Sequence, residues 1–174
     1  MINIAVTDYN VLIAFWLVFT RWTAILVQLP LFDNTSVPNV VKVLMSVMIS
    51  YAFFPVVKGA MVQEILAVGP ENFWYLTIFH TVVGVLIGFL VKSIMNLFVA
   101  SGSIMTQQIG FGAISYFDPS HQSQVGPFEK IIEWTIIIMI LTSGALLPMF
   151  KGVINSFFSV TMENMGNFTN IHVF

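Results

Sequence analysis

Long apolar runs separated by short polar interruptions dominate this chain, and each run predicts an element. Asn10 to Phe32, Val40 to Val57 and Phe73 to Ala100 read as helices, and the third, at 28 residues and about 1.5 Å per residue, more than spans a bilayer core. Ile131 to Phe150 predicts a further helix, with Lys151 to Met165 as its shorter continuation or return. Ile104 to Phe117 is also apolar, but Gly110, Gly112 and the glutamines before them interrupt it, so a break is expected there. Pro30, Pro38, Pro55, Pro70, Pro119 and Pro127 fall at or near the ends of runs, where proline breaks a helix cheaply; Pro148 alone falls inside one. The expected fold is all-α: hydrophobic helical hairpins with a broken helix and a central loop.

Composition sharpens this picture. The chain is 57% hydrophobic and 8% charged, with a mean hydropathy of +0.91, whereas a soluble domain is about a quarter charged. So few charges exclude a disordered chain and a free-standing soluble monomer; the helices require lipid or protein around them. A net charge of -2 without a basic cluster excludes a nucleic-acid binder, and the absence of cysteine excludes disulfides, thiolate metal sites and a cysteine nucleophile. No positive n-region or small-residue cleavage site marks a signal peptide, so the first helix is expected to be retained. With no repeat or flexible linker, residues 1–174 read as one domain. Orientation is not encoded by charge: the polar connections carry Asp33 with Lys42, then Lys58 with Glu64 and Glu71, then Asp118 with Glu129 and Lys130, without a one-sided basic bias.

Three features stand out inside the runs. Arg21 sits at the middle of the first, where membrane insertion of an arginine costs about 2.5–3.5 kcal/mol, so it needs a partner. It either snorkels or meets an internal carboxylate, or else serves an inter-subunit salt bridge or a pore lining. Gly84 and Gly88, four apart, leave a groove for a second backbone, either from this chain or from a partner subunit. The stretch Gln107 to Pro119, QQIGFGAISYFDP, is the third; irregular backbone at membrane depth survives only if buried in protein or lining a cavity. It reads either as a surface turn or as an apolar plug. Before it, Lys92, Ser93, Asn96, Ser101, Ser103, Thr106, Gln107 and Gln108 are too polar for a lipid-facing helix and should face protein or water.

No catalytic or metal constellation is visible. His80, His121 and His172 are scattered, no Gly-x-Ser-x-Gly elbow occurs, and Gly110 with Gly112 lacks the third glycine and lysine of a phosphate loop. Glu129 and Glu133 with Lys130 read as a solvated helix start rather than an acid–base pair. Neither an enzyme nor a bound cofactor or metal is expected.

The order of these features resembles the FliR family, the R-type subunit of the flagellar and type III secretion export gate. Arg21, then QLPLF ending at Phe32, then Ser36-Val37-Pro38 with Lys42 and Pro55, is similar to the family's opening. Val83-Gly84 with Gly88-Phe89 resembles its glycine pair, and Gln108-Ile109-Gly110 with Phe117-Asp118-Pro119 its glutamine–methionine–glycine and aspartate–proline stretch. His80 and Ser103 depart from common glutamates, Thr106 from a glycine and Ala145 from a histidine; the usual C-terminal hairpin appears missing. The resemblance implies a subunit of a helical assembly with P-type and Q-type export-gate subunits and a switch protein of the FlhB type, at the bacterial inner membrane within the basal body of a flagellum or injectisome. It implies a conduit for unfolded secreted proteins, plugged by Ile109, Gly110, Phe111, Gly112, Ala113, Ile114, Ser115, Tyr116, Phe117, Asp118 and Pro119. In that reading Gly110 and Gly112 are hinges, Ile109, Phe111, Ile114, Tyr116 and Phe117 form the seal, and Asp118 with Pro119 ends the loop and starts the next helix. Gly84 and Gly88 would serve helix packing, and Arg21 would be a buried charge. A small multi-helix membrane transporter subunit is the alternative, but it calls for an inverted second copy of the pattern, which the sequence does not show. An intramembrane enzyme would need paired polar groups that the scattered histidines and serines do not supply.

Overall fold

The structure, a computed structural model, describes residues 9–29, 38–111, 116–118 and 123–162. Among the described residues five helices carry it: α1 (Tyr9–Gln28), α2 (Asn39–Val68), α3 (Phe73–Gln108), α4 (Pro127–Thr142) and α5 (Leu146–Ser159). A single 3-10 turn, Pro70–Asn72, joins α2 to α3, and strands β1 (Tyr116–Asp118) and β2 (Ser123–Val125) form a short antiparallel ribbon between α3 and α4. The fold is therefore helical, with one ribbon that the apolar pattern did not announce.

The first helix is the centre of the molecule. Its buried residues Ile13, Ala14, Leu17, Val18, Arg21, Trp22, Ile25 and Leu26 recur at helical spacing along one stripe, and α1 packs against both α2 and α3. Trp22 stacks on Phe53 of α2, and Phe150 of α5 closes on both rings at 5.7 and 5.9 Å between centroids. The long helices α2 and α3 turn only one face to this core. Leu44, Met48, Tyr51 and Leu66 on α2, and Trp74, Phe89, Leu90 and Leu97 on α3, are exposed.

Three helix boundaries differ from the sequence expectation. α2 does not stop near Val57 but continues to Val68, with Pro55 inside it. Val57, Met61, Glu64 and Ile65 prolong the buried stripe, so packing outweighs the one backbone donor that Pro55 lacks. Lys58 and Glu64 accordingly lie in a helix and not in a polar connection. The helix ends at Gly69, which takes a positive φ of 93° while its N–H donates to Ile65 O. α3 runs on past Ala100 to Gln108, and the expected break follows at Gly110, whose φ is 83°.

The third difference lies in the run Ile131 to Phe150, which breaks at Ser143–Ala145 and not at Lys151. Gly144 adopts a φ of 70° there, and Pro148 falls in the first turn of α5, where its missing N–H breaks no helical bond. α1, α2 and the stretch from Pro70 to Gln108 are each long and apolar enough to cross a membrane; α4 and α5 reach that length only as a pair bent by 79°.

Candidate functional site

The polar residues buried at the centre come from different helices and meet the end of α5. Arg21 on α1, Glu64 on α2 and His80 on α3 each lie on the inward stripe of an otherwise apolar helix, and all three are buried. Arg21 Nη1 donates to the carbonyl of Ser156 at 2.9 Å and to Ser156 Oγ at 3.3 Å, while Nη2 donates to the carbonyl of Val160 at 3.3 Å. The guanidinium also lies 4.4 Å from the centre of the Phe157 ring. Ser156 lies in the last turn of α5 and Val160 at its C-cap, where the helix dipole favours a cation; the Ser156 carbonyl also accepts the Val160 N–H at 3.0 Å.

Glu64 takes the other end of the same segment. Its Oε1 accepts the backbone N–H of Met162 at 2.7 Å, and its Oε2 lies 3.3 Å from His80 Nε2. That separation suits an ion pair, but the two atoms are not aligned for a hydrogen bond, and His80 Nδ1 has no protein partner among the described residues. The His80 ring stacks on Phe157 at 6.4 Å. Arg21 and Glu64 are close enough to feel each other's charge. The cluster thus holds one fixed cation, one carboxylate and an imidazole, and it grips main chain: carbonyls through Arg21, an N–H through Glu64.

The arginine anticipated as a lone intramembrane charge therefore sits fully inside the chain, held chiefly by backbone carbonyls. The sequence reading placed Glu64 in a polar connection and noted His80 only as a scattered histidine and a departure from a common glutamate; it assigned neither to a site. The available signal was the continuation of the α2 stripe through Glu64, three residues after Met61 and seven after Val57, which a soluble-loop reading of that glutamate conceals.

The glycines of α3 lie on the contact with α1. A Cβ at Gly84 would come within 2.7 Å of Arg21 O and 2.8 Å of Ala24 Cβ; one at Gly88 would come within 3.0 Å of the Gln28 side chain. Gln28 Nε2 in turn donates to Ala24 O and to Val85 O, both at 3.1 Å, so it ties α1 to α3. A second pair, absent from the sequence reading, clamps α3 to α4. A Cβ at Gly102 would meet Glu129 backbone at 3.0 Å, and one at Gly126 would meet Thr106 at 2.9 Å.

Between those clamps lies the segment singled out for its irregularity. Ile109, Gly110 and Phe111 are exposed, and Phe111 approaches Phe128 at 6.1 Å. Residues 112–115 and Pro119 lie outside the described residues. Tyr116, Phe117 and Asp118 form β1, pairing with Val125, Gln124 and Ser123. Asp118 lies in a strand and does not begin the next described helix. That helix begins at Pro127, with Gly126 before it and the Gly126 N–H donating to Glu129 Oε2 at 3.3 Å, because proline suits the first helical position. Glu133 is not a solvated residue either: it is buried against α3 and pairs with Lys130 at 3.0 Å.

Among the described residues no group of three or more histidine, aspartate or glutamate side chains could hold a metal ion. The family described as Bacterial export proteins, family 1, matches residues 12–173. The chain is similar to the flagellar biosynthetic protein FliR of Buchnera aphidicola subsp. Acyrthosiphon pisum (strain APS), 24% identical over 146 residues, which are 83% of this chain and 54% of that protein. It is likewise similar to the flagellar biosynthetic protein FliR of Bacillus subtilis (strain 168), 24% identical over 150 residues, 86% of this chain and 56% of that protein. The chain thus spans about half the length of the curated relatives it matches. No solved structure matches it.

Proposed function

Because the chain belongs to the bacterial export proteins of family 1, we propose that it is a structural, non-catalytic subunit of a flagellar or type III secretion export gate. The observation that carries the reading is the pair of long apolar helices whose outer faces are uncovered. Helices α2 and α3 expose Leu44, Met48, Tyr51, Trp74, Phe89, Leu90 and Leu97 while a buried polar cluster holds their inner faces in place. Apolar surface on that scale is built to be covered by other chains or by lipid. Its partners in this reading are P-type and Q-type subunits and a switch protein of the FlhB type, at the bacterial inner membrane within the basal body. Its cargo is unfolded secreted protein.

Expression of the tagged chain alone and with its genomic neighbours, in mild detergent, tests the assembly. Co-expression is expected to raise the yield of folded chain several-fold, with the neighbours co-eluting, because partners that bind only the folded form stabilise it by mass action. A monodisperse, stable monomer from the chain alone would overturn the proposal.

The segment from Ile109 to Pro119 plugs the conduit in this reading. What supports it is the sequence resemblance together with the exposed apolar residues Ile109 and Phe111 beside the Gly110 turn. An apolar constriction blocks ions by excluding water. Replacement of Phe111, Ile114 and Phe117 by serine is therefore expected to raise small-ion leak in cells carrying the gate, with complex yield unchanged. A variant that assembles fully and stays sealed would place the seal in another subunit.

A further inference from the structure

Along the outside of α3 one line of side chains changes character partway. Tyr75, Ile78, Val82, Val85 and Phe89 follow one another at spacings of three and four, and all are exposed. About five turns further on, at 3.6 residues per turn, the same line runs through Ser93, Asn96, Ala100, Ser103 and Gln107. The first half of the line is apolar or aromatic throughout, and the second carries nothing apolar beyond the Ala100 methyl. The structure thus sorts the polar residues of this helix. Thr106 is buried beside the clamp on α4 and bonds back to Gly102 O, while Ser101 bonds back to Phe98 O. Ser93, Asn96, Ser103 and Gln107 are exposed or half-buried, and their side chains have no hydrogen-bond partner among the described residues.

The neighbours of this polar line limit its width. On one side lies α4, which meets α3 at Gly102 and Thr106. On the other, Ile94, Leu97, Ile104 and Met105 are exposed. A helix that passed from a bilayer into open solvent would turn polar all round, but α3 stays apolar over most of its outer surface at the same level. Hydrogen-bonding groups therefore occupy only a strip, about 21 Å long from Ser93 to Gln107 at 1.5 Å per residue. Its five residues are uncharged, and Lys92 just before it is already partnered. The strip runs directly into Ile109 and Phe111, the exposed apolar side chains on either side of the Gly110 turn.

We propose, resting on the export-gate reading above, that Ser93, Asn96, Ala100, Ser103 and Gln107 line the water-filled passage and that their occupant is the unfolded polypeptide in transit. The chemistry suits a cargo without fixed sequence. Hydroxyls and carboxamides both donate and accept, so they meet the backbone N–H and C=O groups that every unfolded segment carries. Without charge they favour neither acidic nor basic stretches, and without a large apolar side chain they give a hydrophobic stretch nothing to hold. Each contact replaces one with water, so the chain enters without being retained. The apolar flank through Leu97 and Ile104 seats against neighbouring subunits and turns the strip inward. Its end at Ile109 and Phe111 delivers the cargo from a wetted lining to a constriction that excludes water.

The chain has no native cysteine, so single cysteines report contact with water directly. The probe is a small charged thiol reagent applied to the full chain purified with its genomic neighbours in mild detergent; thiols react as thiolates, which form in water and not against apolar surface. Asn96→Cys, Ser103→Cys and Gln107→Cys are expected to label at least about tenfold faster than Phe89→Cys, Leu97→Cys and Ile104→Cys. In cells, Asn96→Leu combined with Ser103→Leu is expected to lower secretion at least about threefold at unchanged complex yield, while Asn96→Gln with Ser103→Thr retains it, because the second pair keeps the hydrogen-bonding groups. Protection of all three polar positions in a complex that still co-elutes would mean that a neighbouring subunit covers the strip, which overturns the inference and leaves the export-gate reading standing. Equal labelling at all six positions would put α3 in open solvent and overturn it too, as would secretion unmoved by the leucine pair. Failure to co-elute with the neighbours would instead sink the export-gate reading, and the passage with it.

Discussion

Gly84→Leu is expected to prevent α3 from docking on α1 and to abolish recovery of folded chain, whereas Gly88→Leu leaves a reduced but measurable yield. The difference follows from what stands opposite each glycine. At position 84 even a Cβ would lie 2.7 Å from a backbone oxygen, Arg21 O, and 2.8 Å from Ala24 Cβ, and neither can swing aside. Relief requires the two helices to part, and overpacking of this kind costs about 1–3 kcal/mol or more before the remaining leucine atoms are placed. Parting the helices also shifts the backbone that carries Arg21 out of register with α5. At position 88 the obstruction is the Gln28 side chain, which can change rotamer at the loss of its bond to Val85 O. Gly152→Ala meets open space and is the matched control. Yield of monodisperse complex and thermal unfolding in detergent measure the order; equal behaviour of the two leucine variants would refute the packing argument.

The helices themselves were legible because apolar runs of this length leave few alternatives, and the glycine pair on α3 was visible as a spacing of four. The stops were not. Pro55 and Lys58 look like the end of α2 only when the chain is read locally; the stripe Val57, Met61, Glu64, Ile65 continues because α1 lies against it. The break at Gly144 was missed because a glycine inside an apolar run is ambiguous until its φ is known. The polar cluster was legible in one member out of three. Arg21 drew notice by its position, but Glu64 and His80 acquire meaning only through Met162, Phe157 and Arg21, residues distant in sequence that the fold brings together. The ribbon β1–β2 had no alternating pattern to signal it.

Single substitutions in that cluster are expected to cost more than removing its two charges together. Arg21→Ala removes the donor from the Val160 carbonyl and one of two donors from the Ser156 carbonyl, and leaves Glu64 with only His80 beside it; an uncompensated buried charge of this kind costs about 3–5 kcal/mol. Arg21→Lys recovers part of the loss, because an ammonium cannot divide a planar fork between Ser156 and Val160 while lying over Phe157. Glu64→Ala leaves the Met162 N–H unpaired and the guanidinium uncompensated, at a similar cost, whereas Glu64→Gln keeps an acceptor for that N–H and loses only the charge. Combining Arg21→Met with Glu64→Met removes both desolvated charges and fills their volume with apolar atoms, which often approaches neutrality at buried pairs. The double variant is therefore expected to be more stable than either Arg21→Met or Glu64→Met alone, a coupling of at least about 1 kcal/mol in a double-mutant cycle. Thermal unfolding of the four variants of the cycle measures the coupling. Additive single costs would mean that Arg21 and Glu64 hold the end of α5 independently, each by its own contact with the main chain.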